Sequence, residues 1–100
     1  AAKNIRLIAI AKNRLGVTLN FLQVYDESEK KLKEAEQFID DNDFPDKNLI
    51  RANNYQFQSD LYTHILKHDK AVAYIKKTIP EYEKIKNSYI LKNDMLQNIK

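Results

Sequence analysis

Two stretches of the chain, 43 residues apart, repeat the same order of apolar, small and acidic side chains. The repeat is seen when Asp26 is aligned with Asp69, and the paired side chains agree in size and polarity rather than in identity. The other pairs are Gly16 with Ser59, Leu19 with Tyr62, Leu22 with Ile65, Ser28 with Ala71, Leu32 with Ile75, and Ala35 with Thr78. Such a repeat indicates that one supersecondary unit is built twice.

The second copy, residues 62–74, predicts that this unit is a helical hairpin. Apolar Ile65 and Leu66 end one helix, and a polar break follows at Lys67. Asp69 would begin the next helix, because its carboxylate can accept bonds from the first free amides. In the first copy, Asp26 takes the same role, with Glu29 placed to complete a capping box.

The scarcity of turn-forming residues predicts an all-α fold. The 100 residues include one Gly and two Pro, whereas small β-rich domains need many of both for their turns. A hydrophobic fraction of 43% and a charged fraction of 31% favour a folded domain. The absence of Cys excludes disulfides and thiol chemistry and fits a reducing, cytoplasmic location.

The apolar spacing predicts about five helices within a single domain, 1–100. We expect a first hairpin at about 3–41, a second at about 47–79 and a C-terminal helix at about 81–99. The break before the last helix is placed near Thr78–Pro80, because Thr can cap a helix and Pro is tolerated in the first turn. The chain lacks an initiating Met and ends on an unfinished helical pattern, so we expect a fragment of a longer protein.

The two hairpins resemble the tetratricopeptide repeat (TPR) family over roughly residues 10–83. The resemblance rests on Leu15-Gly16, Leu19, Tyr25, Ser28, Leu32 and Ala35, and on Ser59, Tyr62, the ILKHDKA corner and Tyr74-Ile75. The repeat offset exceeds the usual period of about 34 residues, so the helices are longer than in the standard unit. His68 replaces a usual aromatic, Gln58 replaces a usual Leu, and Lys12 occupies the first aromatic site.

The resemblance implies antiparallel helical hairpins stacked as a short TPR-like α-solenoid. Long-helix versions are similar to the sensor halves of bacterial transcription regulators and histidine kinases, by analogy of fold alone. The first helix of each hairpin would then line a concave groove. The implied groove residues are Asn13, Val17, Asn20 and Phe21 in the first hairpin, and Asn53, Gln56, Asp60, Thr63 and His64 in the second.

Most of these groove residues carry amide or hydroxyl groups. Asn and Gln offer both a donor and an acceptor, so they can hold the backbone of an extended peptide whatever its sequence. The plainer alternative is a solvated helix face without a ligand. The spacing of Asp60, His64 and His68 could hold a metal, but His68 falls in the corner and no fourth ligand is apparent, so we expect no metal site.

Catalytic and cofactor patterns are absent from the sequence. It contains no Gly-rich phosphate loop and no Ser/His/Asp nucleophile set, so we expect neither an enzyme nor a cofactor. Residues 1–25 carry four basic and no acidic side chains, whereas residues 26–48 carry nine acidic and four basic ones. These alternating blocks do not form the continuous basic stripe typical of nucleic-acid binding. No apolar run is long enough to span a bilayer.

The last part of the chain has an apolar face that needs cover. Its members are Tyr82, Ile85, Tyr89, Leu96 and Ile99. A further repeat would cover them, and so would a homo-oligomer formed through the C-terminal helix. The leading hypothesis is a module that binds a protein or peptide segment, as the interaction or sensor part of a larger bacterial regulator. A structural or oligomerisation segment is the runner-up, and a nucleic-acid-binding helical domain, suggested by the basic ends, is the third.

Overall fold

The computed structural model describes residues 2–98, with side chains described as far as Lys92. This part of the chain forms four α-helices and no strand, which confirms the all-α prediction. The helices are α1 (Ala2–Phe21), α2 (Tyr25–Asp41), α3 (Lys47–His64) and α4 (His68–Asn98). The structure thus has four helices over the described range where about five were expected.

The helices pack in chain order. Each helix lies against the next one along the chain, and α1 also contacts α3. Within the described residues, the backbone of α4 lies close only to that of α3. One apolar cluster joins Ala9, Ile39, Phe44 and Ile50. A second joins Tyr62, Ala71 and Tyr74. The apolar core is therefore divided into two clusters, one joining α1, α2 and α3 and the other joining α3 and α4.

The two corners that end α1 and α3 have the same backbone conformation. Gln23 (φ 64°) and Leu66 (φ 63°), 43 residues apart, both occupy the left-handed region. After each of them, an amide reaches back to a carbonyl in the last turn, Val24 to Leu19 at 2.9 Å and Lys67 to Tyr62 at 2.8 Å. This pattern satisfies helix-end carbonyls that would otherwise lack partners. The predicted repeat therefore extends to the hydrogen bonds of the corners.

The predicted caps at Asp26 and Asp69 are wrong. Val24 is the N-cap of α2 and its side chain makes no capping bond, while Asp26 lies within the first turn. Asp69 likewise lies in the first turn of α4. The left-handed corner leads directly into the next helix. Each acidic side chain therefore interacts favourably with the positive end of the helix dipole instead of capping the first amides. Glu29 accepts a bond from the Tyr62 hydroxyl at 2.7 Å instead of completing a capping box.

Small residues let the helices of each pair approach closely. The Ser28 hydroxyl donates to the Gly16 carbonyl at 2.7 Å, and the Ser59 hydroxyl donates to the Ala71 carbonyl at 2.8 Å. Ser28 lies on α2, the second helix of the first hairpin, whereas Ser59 lies on α3, the first helix of the second hairpin. Each crossing is thus fixed by one buried hydroxyl, with the donor and acceptor helices exchanged.

The predicted break near Thr78–Pro80 is also wrong, since α4 continues through Pro80. A proline inside a helix leaves the carbonyl four residues earlier, here that of Lys76, without its amide partner. Both residues lie on the exposed side of α4, where water can reach that carbonyl. The Thr78 hydroxyl donates to the Ile75 carbonyl at 2.6 Å and does not cap a new helix.

Replacing Gly16 by Ala tests the close crossing of α1 and α2. An added Cβ would lie 2.5 Å from both Cγ and Cδ2 of Leu32, which is fully buried. Overpacking costs about 1–3 kcal/mol, which outweighs the roughly 1 kcal/mol that Ala gains over Gly inside a helix. Urea unfolding should show Gly16→Ala to be less stable by about 1 kcal/mol. In a Leu32→Ala background the same change should stabilise, and stabilisation in the wild-type background would contradict the close crossing.

Replacing Leu66 by Gly tests the left-handed corner. The side chain is 75% exposed, so little packing is lost. A left-handed conformation costs an L-residue about 1–2 kcal/mol, against an entropic cost of about 0.5–1 kcal/mol for Gly. Thermal unfolding should show Leu66→Gly to be more stable and Leu66→Val to be less stable, because a β-branched residue fits this conformation poorly. Equal destabilisation by both variants would argue against the conformation.

Candidate functional site

A groove of about 500 Å³ lies between α1 and α3. Three of the predicted groove residues, Asn13, Val17 and Asn53, line it. The other lining residues are Arg6, Ile10, Arg14, Thr18, Leu49, Ile50 and Phe57. The other predicted groove residues are not among its lining residues, and the prediction did not include either arginine or the apolar wall.

Asn13 forms the floor of the groove and is buried, with its amide already engaged. Its Nδ2 donates to the Ile50 carbonyl at 3.3 Å, and its Oδ1 accepts from Asn54 Nδ2 at 2.9 Å. Asn54 Nδ2 also donates to the Leu32 carbonyl of α2 at 3.0 Å. Asn13 therefore joins α1 to α3 and is not open to a peptide backbone as the resemblance implied.

Gln58 continues this buried chain of amides towards α4. Its Nε2 donates to Asn54 Oδ1 at 2.7 Å and to Glu36 Oε1 at 2.8 Å. The same Glu36 oxygen accepts from the Tyr74 hydroxyl at 3.2 Å. Burial, followed by the charge of Glu36, raises the pKa of Tyr74 to about 12, so the phenol keeps its proton at neutral pH. We call Asn13, Asn54, Gln58, Glu36 and Tyr74 the amide chain.

Lys33 closes the α4 end of the amide chain. Its Nζ donates to the Tyr74 hydroxyl at 2.9 Å and to Gln58 Oε1 at 3.4 Å. The ammonium also lies 5.1 Å from the centre of the Tyr74 ring, within the range of a cation–π contact. The positive charge of Lys33 therefore balances the carboxylate of Glu36 beside the second apolar cluster.

Asn20 and His64 lie beyond the groove, near the corners. Asn20 is buried, and its Oδ1 lies 2.9 Å from His64 Nδ1. Because the amide oxygen can only accept, Nδ1 of His64 is the donor in this pair. The Tyr25 ring lies 6.4 Å from the His64 ring. These two predicted groove residues are thus brought together, but they act as a link between α1 and α3.

Gln56 and Asp60 are exposed on α3 and do not line the groove. Partial loss of hydration raises the pKa of the Asp60 carboxyl, and the nearby His64 acts against that shift. His68 begins α4, after the helix that carries His64 has ended. In the part of the chain whose side chains are described, no group of three or more His, Asp or Glu side chains is placed to hold a metal.

The electrostatics of the groove are set by two arginines, which enter from α1. Arg6 is half-buried and its Nε lies 3.2 Å from the Asp46 carboxylate, at the start of α3. Arg14 is exposed, two turns further along the same face. No carboxylate is among the residues that line the groove. The groove therefore combines positive charge with apolar side chains from Ile10 and Phe57.

A second cavity of about 520 Å³ lies between the start of α3 and α4. It is lined by side chains of both charges, including Asp43, Asp46, Lys84 and Lys92. Its mixed charge gives no preference for one class of ligand, unlike the groove between α1 and α3.

Comparisons with family models, with curated protein sequences and with solved structures found no match to the chain. No helix in residues 2–98 has the length and apolar content required to cross a membrane.

Replacing Asn54 by Ala tests whether the amide chain holds the groove together. The change leaves Asn13 Oδ1 and the Leu32 carbonyl buried without their donor. Each unsatisfied group costs about 1–3 kcal/mol, so chemical denaturation should show a loss of roughly 2–4 kcal/mol. The neighbouring Asn53→Ala, on the half-buried groove wall, should cost less than about 1 kcal/mol. Similar losses in both variants would contradict a special role for the chain.

Proposed function

We propose that the chain is a helical-repeat interaction module that binds an extended segment of another protein in the groove between α1 and α3. On this proposal the two hairpins form a short TPR-like α-solenoid and serve as the interaction or sensor part of a larger cytoplasmic bacterial regulator. The observation that carries the proposal is the composition of the groove, with two arginines, polar Asn53 and Thr18, and an apolar wall.

The charge of the groove favours an acidic and apolar segment. Arg14 offers a guanidinium to a ligand carboxylate, a pairing that is charge-assisted and can be bidentate. Val17 and Phe57 line the same cavity and can cover aliphatic ligand side chains. In an extended peptide, successive side chains point to opposite sides. A peptide in which acidic and aliphatic residues alternate would therefore present carboxylates on one side and apolar groups on the other, and a groove can contact both sides.

The corners and the amide chain supply the rigidity that such a site needs. Asn13 and Asn54 hold α1 and α3 at a fixed spacing, so the groove exists before a ligand arrives. A preformed site avoids part of the ordering cost of binding. The TPR-like pattern at the corners adds support, because repeats of this kind present extended concave surfaces.

Two labelled peptides test the proposal, one with alternating Glu and Leu and one with Lys in place of Glu. We expect the acidic peptide to bind at least about tenfold more tightly, a difference of about 1.4 kcal/mol. Arg14→Glu should abolish that preference, whereas Lys30→Glu, on the exposed face of α2, should leave it unchanged. Fluorescence anisotropy at two salt concentrations gives the affinities, and NMR shifts locate the contact.

Equal affinity for the two peptides would contradict an acidic ligand. Shifts confined to the faces of α2 and α4 that lie away from the groove would contradict the site itself.

A structural or oligomerisation role is the second candidate. It is favoured by the exposed apolar side chains of α4, among them Val72, Ile75, Ile79 and Tyr82. This role requires no ligand in the groove, so it makes no prediction for the two peptides. Of the apolar face used to predict it, the side chains of Leu96 and Ile99 lie outside the described part of the structure.

A further inference from the structure

The 43-residue repeat makes each residue of α2 equivalent to one on α4, and each residue of α3 equivalent to one on α1. The contact faces of α2 and α3 therefore have equivalents on α4 and α1. On α2, the residues that contact α3 include Glu29, Leu32, Lys33, Glu36 and Asp40. Their equivalents 43 residues later on α4 are Val72, Ile75, Lys76, Ile79 and Glu83. On α3, the residues that contact α2 are Arg51, Asn54, Gln58 and Tyr62. Their equivalents 43 residues earlier on α1 are Ile8, Ala11, Leu15 and Leu19.

Most of these equivalent positions are apolar and exposed; Lys76 and Glu83 are charged, and Leu19 is half-buried. We call Val72, Ile75, Ile79 and Tyr82 the α4 stripe, and Ile8, Ala11, Leu15, Leu19 and Leu22 the α1 stripe. Five of these side chains, Ile8, Leu15, Val72, Ile75 and Ile79, are 45–54% exposed, although they are large and apolar. The ends of a helical-repeat array usually carry polar outer faces, because nothing packs against them. The faces of α1 and α4 that no described helix covers are mainly apolar instead.

The contacts between α2 and α3 also define how the two stripes would fit together. Shifted by the repeat, the contact between Glu29 and Tyr62 corresponds to a contact between Val72 and Leu19 of a neighbouring molecule. Glu36 with Gln58 corresponds to Ile79 with Leu15, and the backbone carbonyl of Leu32 with Asn54 corresponds to Ile75 with Ala11. These three contacts inside the molecule therefore correspond to apolar pairs between α4 and α1. Two other contacts do not: Asp40 with Arg51 corresponds to Glu83 with Ile8, and Lys33 with Gln58 corresponds to Lys76 with Leu15.

The charges beside the stripes agree with the same register. Inside the molecule, Asp40 of α2 pairs with Arg51 of α3 at 3.3 Å, and Tyr55 lies one turn further along α3. Burial, followed by the charge of Asp40, raises the pKa of the Tyr55 phenol to about 12. The equivalent pair between ends is Lys12 with Glu83. These two side chains carry opposite charges, so the register that pairs the apolar side chains also pairs an ammonium with a carboxylate.

We propose that a second copy of this chain packs its α1 stripe onto the α4 stripe, so that molecules stack head to tail in continuation of the internal repeat. The stack does not rest on peptide binding; it deepens the oligomerisation role by naming both faces and their register. A head-to-tail contact leaves one stripe free at each end, so further copies can add. In the stack, α1 of the second copy lies beside α3 of the first and extends the row of groove-lining helices.

Two variants with one blocked end each test the stack. Leu15→Glu blocks the α1 stripe and Ile79→Glu blocks the α4 stripe, and both residues are about half exposed, so folding should be retained. In sedimentation velocity, the wild-type chain should form species larger than a dimer as its concentration rises. Each variant alone should remain monomeric, and the two variants mixed should form dimers only, because one intact α4 stripe meets one intact α1 stripe.

Cysteine pairs test the register, since the chain has no Cys of its own. On oxidation, a mixture of Leu15→Cys and Ile79→Cys chains should give the mixed disulfide in excess of both symmetric dimers. Replacing Leu15→Cys in the mixture by Lys30→Cys, on the exposed face of α2, should remove that excess. Circular dichroism confirms that each variant is folded.

Three outcomes would overturn the stack. Symmetric disulfides in excess would indicate two α4 helices or two α1 helices in contact, and would leave an oligomerisation role standing. A mixture of blocked variants that stays monomeric would exclude the head-to-tail contact. A wild-type chain that stays monomeric at every concentration would contradict both the stack and the oligomerisation role, while leaving peptide binding untouched.

Discussion

The buried amide chain is the interaction on which the rest of the structure depends. Asn54 and Gln58 are both fully buried on α3. The NH₂ group of Asn54 donates to Asn13 of α1 and to the Leu32 carbonyl of α2, and that of Gln58 donates to Glu36 of α2 and to Asn54. A buried amide that lost these partners would pay the full cost of desolvation, so the helices are held at one spacing and one register. The groove between α1 and α3 and the position of Tyr74 on α4 both follow from that register.

The placement of polar and apolar faces gives the array a direction. Inside the molecule, polar and charged side chains between α2 and α3 lie beside the apolar residues Ile39 and Ile50, whereas the corresponding outer faces of α4 and α1 are mainly apolar. A polar face left opposite an apolar one would leave buried groups unpaired, so the two kinds of interface discriminate against each other. On the proposed stack, the same repeat folds as one unit and leaves mainly apolar faces on α1 and α4 that can meet each other.

The sequence predicted the helical class, the first three helices and the 43-residue repeat, because apolar spacing and small residues report directly on packing. The predicted caps were wrong because the left-handed conformation at these corners is usually adopted by Gly. Gln23 and Leu66 adopt it here, and neither residue type indicates it in a sequence. The prediction failed at Pro80, because the exposure of the Lys76 carbonyl depends on which side of α4 is covered. Asn13 and Asn20 were assigned to an open groove, because a polar side chain on a helix gives no indication whether it meets water or another buried amide.

The central claim, that buried amides fix the spacing of the helices, is tested most directly by hydrogen exchange at side chains. NMR can follow the Nδ2 protons of Asn54 and the Nε2 protons of Gln58 separately from those of Gln56, which lies exposed on the same helix. If the account is right, the protons of Asn54 and Gln58 exchange as slowly as the backbone amides of the core, and those of Gln56 exchange freely. Exchange of all three at the same fast rate would contradict it.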